Sequence, residues 1–447
     1  MMNKPKKIGI ALCVVISLLL IVPFLIPMQT YLRQAEHLAS EKLGQPVSIG
    51  SAHLFFLPSP HVTAHDIVLG KNQELKMDTL VLTPTLTSLF LDTKTIDLQF
   101  KKPVMKKAAL DFIAALSSNK QIGSDAAKVH VRHIEVDELE LAWPNMMLPV
   151  LNADVTLSTS HVLEFASLAS TDGALKVDVI PNGDEQLIAI NIKQWTLPVD
   201  FPLLIDKAKF EMRLKGSQLA VPSIDVAMYG GKITGEANLN WTKNWKLNGK
   251  LHVEHLAVQQ PSRMVSKSVY LSGHLFADGN FSSSSKKVRG LSDNLQTNFQ
   301  FKVNNGVLHG LDLVKIASVL IKQKQGVGET QFDTFSGMLN SVGKQYHLRN
   351  LDISSGLLLA KGQVKVKSNK SLTGTVTVDV KNSMGLAVIP LDVSGTVNSP
   401  SVFPNKAALA GAIAGSAVLP GVGTSVGIKA GQKAGDALNK LKGLFGN

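Results

Sequence analysis

Ala208-Lys209-Phe210-Glu211-Met212-Arg213-Leu214 alternates apolar and charged side chains without a break. A period of two is what a strand with one buried face requires, because successive Cβ atoms point to opposite sides of the sheet. The same alternation recurs at Ile96-Leu98-Phe100, Leu175-Val177-Val179 and Ile188-Ile190-Ile192, and again at Phe299-Phe301-Val303, Val364-Val366, Val376-Val378-Val380 and Leu391-Val393. Gly, Asn, Asp and Ser punctuate it at short intervals, as turns between strands do. From Val47 to about Val402 the chain therefore reads as mainly antiparallel β. Helical spacing is confined to a few short stretches: Tyr31 to Leu43, followed by Gly44 where a C′ glycine belongs, Ala108 to Ser117, and Leu311 to Lys324.

A sheet with one apolar face must cover it, since large exposed apolar patches are rare on soluble proteins. Two long helices at most are available. The remaining choices are a sandwich or barrel closing on itself, or a long curled sheet whose hollow side holds something apolar. The length of 447 residues is ample for several cores. Charged residues at 18% and apolar residues at 45% exclude a disordered polyelectrolyte, and a mean hydropathy of +0.13 argues against a polytopic membrane protein. The single cysteine, Cys13, excludes an intramolecular disulfide framework and multi-thiolate metal sites.

Ile8 to Met28 is a 21-residue run without a charge, long enough as a helix to cross a ~30 Å hydrocarbon core, and reads as one transmembrane anchor. No convincing small-x-small cleavage site follows it. Lys4, Lys6 and Lys7 flank its N-terminal side, so the positive-inside rule keeps the N-terminus cytoplasmic and exports the rest. Lys plus Arg number 46 against 34 Asp plus Glu, a net charge of +12. In an exported body without a nucleic-acid motif, that excess fits anionic membrane surfaces as well as a plain solvated surface, and nucleic acid is not expected as a partner.

Leu43 to Gly70 (LGQPVSIGSAHLFFLPSPHVTAHDIVLG), directly after an anchor, resembles the opening of the AsmA family of bacterial inner-membrane proteins. Leu82 to Met105 fits that family's next strand pair. NNGVLHGLDLVKIASVL, GETQFDTFSGML, LRNLDISSGLLLAKGQVKV and LDVSGTVNSPSVFPN resemble its C-terminal region. The resemblance spans about Met1 to Asn405. It implies a long curled antiparallel β-groove, related to chorein-type bridge-like lipid transfer proteins, anchored by one N-terminal helix in the inner membrane with its bulk in the periplasm. It further implies a contribution to phospholipid transport toward the outer membrane and to outer-membrane integrity. Phospholipids and the inner membrane are the implied partners, with the outer membrane or an envelope protein beyond them. The lipid-facing candidates are Val364, Val366, Val376, Val378, Phe299 and Phe301. A scaffold or regulator of outer-membrane protein assembly is the alternative. The organisation read is an anchor at 1–28, β regions at 29–205 and 206–404, and a Gly/Ala-rich tail at 405–447. At ~13 residues per strand and turn, the β region makes about 27 strands, a sheet roughly 130 Å long.

Catalysis is not expected, nor is a cofactor or metal. Gly423-Thr424-Ser425-Val426-Gly427 matches a nucleophile elbow, but no strand runs into it and no histidine follows Ser425. His130 with His133, and His252 with His255, imitate metal pairs, yet an offset of three on a regular strand points the two to opposite faces. In the tail, Gly423, Gly427, Gly431 and Gly435 repeat every four residues, which puts small residues on one helix face for close helix packing. A glycine zipper and a flexible tail both remain open on that pattern, since each glycine disfavours helix by ~1 kcal/mol.

Overall fold

A glycine in the left-handed region ends the first helix and sets the chain onto its first strand. Helix α1 (Met28–Leu43) stops at Gly44, whose φ is +63°. The Ser40 hydroxyl then accepts the Val47 N–H and the Glu36 carboxylate accepts the Ile49 N–H, so the helix lies antiparallel to the strand that follows. The structure, a computed structural model, describes residues 28–109, 129–143, 148–160, 162–196, 202–318, 328–381 and 388–410, with 429, 430 and 432. The chain divides into two units between Asp200 and Phe201. Among the described residues there are 22 strands, ten in the first unit and twelve in the second, with only a few short helices. That is fewer than the ~27 expected from strand spacing, because single strands reach 14 to 16 residues.

The first unit holds β1 (Val47–Phe55), β2 (His61–Leu69), β3 (Leu75–Pro84), β4 (Lys94–Lys101), β5 (Val104–Lys106), β6 (Val129–Ala142), β7 (Leu151–Leu157), β8 (Leu163–Ser170), β9 (Leu175–Asn182) and β10 (Glu185–Thr196). Strands β1 to β4 form an antiparallel meander, as do β6 to β10. The sheet is not antiparallel throughout, which corrects the expectation: β6 runs parallel to both β4 and β5. A parallel neighbour needs a crossover rather than a hairpin, and residues 107–128 supply the length for one. Ala64, Ile67 and Met77 form the buried centre, flanked by Ile49, Leu80 and Phe100.

The second unit holds β11 (Leu204–Lys215), β12 (Gln218–Met228), β13 (Gly231–Asn240), β14 (Trp245–Ala257), α2 (Gln259–Val265), β15 (Tyr270–Ser285), α3 (Gly290–Asp293), β16 (Gln296–His309), α4 (Leu313–Ser318), β17 (Glu329–Val342), β18 (Gln345–Ser354), β19 (Leu358–Val366), β20 (Leu372–Val380), β21 (Val388–Thr396) and β22 (Ser399–Pro404). Every consecutive strand pair is antiparallel. Register shifts interrupt six of these ladders, and His255, Asn305 and Asn350 sit at positive φ within their strands. Each bulge bends its strand and adds twist, so a series of them curls the sheet. The curl brings the Asn398 carbonyl, at the β21–β22 turn, to accept a hydrogen bond from the Ser268 hydroxyl, which precedes β15.

No described helix is long and apolar enough to cross a membrane. The expected anchor at 1–28 lies outside the described residues except for Met28, and so do Gly423, Gly427, Gly431 and Gly435.

Candidate functional site

Antiparallel register turns the alternation of single strands into rows of side chains that run across the second unit. Leu251 on β14 faces Gly279 on β15, which faces Phe299 on β16. The row continues through Leu339, Leu348, Val364 and Gly374 on β17 to β20. Each of these residues is half-buried, and the residues on either side of Phe299 and Val364 in the chain are exposed. At ~4.8 Å per strand the row from β14 to β20 is about 29 Å long, whereas one leaflet of a ~30 Å hydrocarbon core needs about 15 Å of acyl chain.

Two rows inward, beyond the row of Phe301 and Val376, the row Val303–Phe335–Ile353–Ala360–Val378–Ile389 behaves differently. Val378 is 0% exposed, Ala360 1% and Val303 2%. Helix α4 covers this end, with Leu313 and Ala317 buried and the helix packed against β17, β20 and β22. Among the described residues, the apolar face is thus sealed along one margin and uncovered along the other. Of the six candidate positions, Phe299 and Val364 share one uncovered row, Val366 lies one row outward beside Leu372, and Val376 lies one row inward opposite Gly362. Val378 belongs to the sealed core. Phe301 links the two zones: its ring meets Phe335 edge-on at 5.5 Å, and Phe335 meets the buried Phe332 at 5.9 Å. Sequence alternation cannot find Leu339 and Leu348 as members of the row with Val364, because only the pairing of β17, β18 and β19 places them there.

The opposite face is polar and laced with pairs: Lys361 with Asp352 at 3.4 Å, Lys232 with Asp225 at 3.2 Å, and Arg349 on the Asn340 amide oxygen, whose nitrogen donates to Asn298. A shallow depression of about 510 Å³ opens on it, lined by Thr234, His252, Asp278, Asn280, Gln300 and Met338 among others. Amides and carboxylates there suit water and polar groups rather than acyl chains. His252 bridges two carboxylates, Nδ1 at 2.5 Å from Asp278 and Nε2 at 3.0 Å from Glu254. These hydrogen bonds, first to Glu254 and then to Asp278, raise its pKa above the usual histidine value.

The expectation that His252 and His255 face opposite sides is corrected by the bulge between them. Val253 and Leu256 are both buried, so Glu254 and His255 both turn outward, with His255 at φ +55° and its ring 4.1 Å from that of His274. Among the described residues, no three His, Cys, Asp or Glu side chains converge as metal ligands. Since the raised pKa favours the protonated, folded state, the stabilisation is complete below about pH 6.5 and fades as pH rises through the elevated value. His252→Gln should therefore melt below the parent protein at pH 6 and converge with it by pH 9. A pH-independent difference in melting temperature would refute this role.

Comparison with models of known families matches residues 85–342, more than half of the chain, to the AsmA family. No curated protein and no solved structure matches it.

Proposed function

We propose, from the premise that this chain belongs to the AsmA family, that it is a non-enzymatic envelope protein carrying phospholipid acyl chains along the uncovered apolar face of its second unit, between the inner and outer membranes. The supporting observation is the half-buried row from Leu251 to Gly374, apolar on one side of the sheet and backed by solvated amides and ion pairs on the other. Each CH₂ laid on that row gains roughly 0.8 kcal/mol, which holds an acyl chain without specificity for its length. The headgroup stays at the sheet's polar margin, so the face needs no catalytic group or cofactor. In this reading an inner-membrane anchor at the N-terminus holds the carrier at the donor bilayer.

A photo-crosslinking amino acid placed singly at Val364, Val366 and Val376, and at Gln363, Lys365, Thr375 and Thr377, tests the reading in cells. The first set is half-buried on the apolar face and the second is exposed on the other. Phospholipid adducts are expected at the first set only, read by mass spectrometry. Equal labelling of both sets, or polypeptide adducts in place of lipid, would overturn it, the latter in favour of a scaffold for outer-membrane protein assembly.

A further inference from the structure

The large apolar side chains left exposed in the first unit are not scattered over it. Among the strands and loops of that unit, Phe55, Leu57, Leu86, Phe90 and Leu91 are exposed, from 38% at Phe55 to 92% at Phe90. Phe55 and Leu57 belong to the β1–β2 connection, and Leu86 to Leu91 to the short 3₁₀ turn between β3 and β4. Register puts both connections at the same end of adjacent strands, since Phe55 pairs with His61, Val62 with Leu82 and Pro84 with Ile96. The other exposed large apolar residues of these strands lie at that end too: Val129 opens β6 opposite Lys94, Val162 sits in the β7–β8 turn, and Ile180 is near the end of β9.

The opposite end contrasts with it. Its turns read Lys71-Asn72-Gln73-Glu74, Lys101-Lys102 and Thr171-Asp172-Gly173, and among the described residues of the strands and their connections none of the exposed large apolar side chains is there, Leu38 of α1 being the one exposed nearby. The first end carries polar residues too, in Asp92-Thr93-Lys94 and the Asn182-Gly183-Asp184-Glu185 turn, but it gathers the exposed large apolar side chains of the strands and connections, the distribution a surface needs to sit upright on a bilayer.

The direction of α1 decides the occupant. Ser40 lies beside Val47 and Glu36 beside Ile49, so moving toward the helix N-terminus moves along β1 toward Phe55. Eight further residues, about 12 Å at 1.5 Å each, carry the helix to Met28 in that same direction. Met28 closes the uncharged 21-residue run of the sequence. Helix α1 thus heads toward the end that bears the exposed apolar loops, and the uncharged run precedes it in the sequence.

We propose that this end of the first unit docks on a phospholipid bilayer, with Phe90, Leu91, Leu86 and Leu57 entering the lipid and the β1–β2 and β3–β4 connections forming the contact. The contact fixes the sheet's strands upright on the membrane, which a connection through α1 does not do by itself. The proposal stands apart from acyl-chain carriage by the second unit, since vesicles report docking even for a protein that moves no lipid.

The test uses the full chain with Cys13→Ser in vesicles of phosphatidylethanolamine and phosphatidylglycerol, and one new cysteine at a time bearing an environment-sensitive fluorophore. Phe90→Cys and Leu57→Cys sit in the apolar end, and Lys71→Cys in the charged one. The expected result is blue-shifted emission at 90 and 57 that is quenched by phospholipids carrying a nitroxide on the acyl chain, with neither effect at 71. Adding Leu86→Asp and Leu91→Asp should abolish the quenching at position 90 while secondary structure is unchanged, because these side chains are exposed. Emission at 90 and 57 matching that at 71 overturns the proposal. So does a blue shift without nitroxide quenching when unlabelled Phe90→Cys chains form disulfide-linked pairs on mild oxidation, which assigns the patch to a second copy of this chain.

Discussion

If the second unit carries phospholipid as proposed, Val364→Asp is expected to strip it from the purified full-length protein while leaving the protein folded, whereas Val378→Asp is expected to prevent the second unit from folding. The two valines lie on neighbouring strands of one face, yet their surroundings differ. Val364 is half-buried in the row that no described element covers, so a carboxylate there keeps water in the free protein and costs the fold little. An acyl chain laid over it would have to dehydrate that charge, at a cost of several kcal/mol, and each 1.4 kcal/mol is a tenfold loss of occupancy. Val378 is 0% exposed beneath α4, and the same dehydration would fall on the folded state itself. A penalty of several kcal/mol is a large share of the 5–15 kcal/mol that holds a typical domain together. Lipid phosphorus per mole of protein and a circular-dichroism melt separate the cases. If Val364→Asp retains its lipid, or if Val378→Asp melts like the parent, the division into an uncovered and a sealed zone is wrong.

That division is also where reading the sequence reaches its limit. Alternation at Ala208 to Leu214 and at Val364 to Val378 is enough to assign strands and to sort side chains into two faces, because strand geometry allows no other arrangement. The helix ending at Gly44 follows from local rules as well. Whether Val376 or Val378 is covered depends on where a helix 60 residues earlier folds back, and parity treats the two alike. Bulges defeat parity altogether: at Glu254 and His255 two consecutive residues turn outward, and HVEHLA marks the spot only weakly, through a histidine, a type enriched at positive φ. Asn305 and Asn350 carry a weak signal, because asparagine tolerates that conformation. The parallel pairing of β4 with β6 is likewise not marked by alternation in either strand, since parity is the same for both directions.

Gly279→Ala should cost more stability than any methyl group of its size placed at a glycine in open space. A β-carbon at Gly279 would stand 2.3 Å from the Asn298 carbonyl oxygen and 2.5 Å from Cδ1 of Phe299, so β15 and β16 must move apart or the ring must lift. Overpacking of this kind costs about 1–3 kcal/mol, a drop of roughly 2–4 °C per kcal/mol in a unit this size. Gly356→Ala supplies the comparison, since no atom lies within 4 Å of the added carbon, and it should leave the melting temperature unchanged or raise it slightly. The glycine lets the Phe299 ring lie flat along the row, keeping the floor of the apolar face low where an acyl chain would rest. Lifting that ring should therefore lower lipid content beyond what the stability loss explains. Phe299→Ala in the Gly279→Ala background removes the clash with the ring but not the one with the Asn298 carbonyl, so it should restore part of the melting temperature and not all of it. Equal melting of Gly279→Ala and Gly356→Ala would show that the close approach of the two strands is relieved at no cost, and the row would lose its claim to a fixed floor.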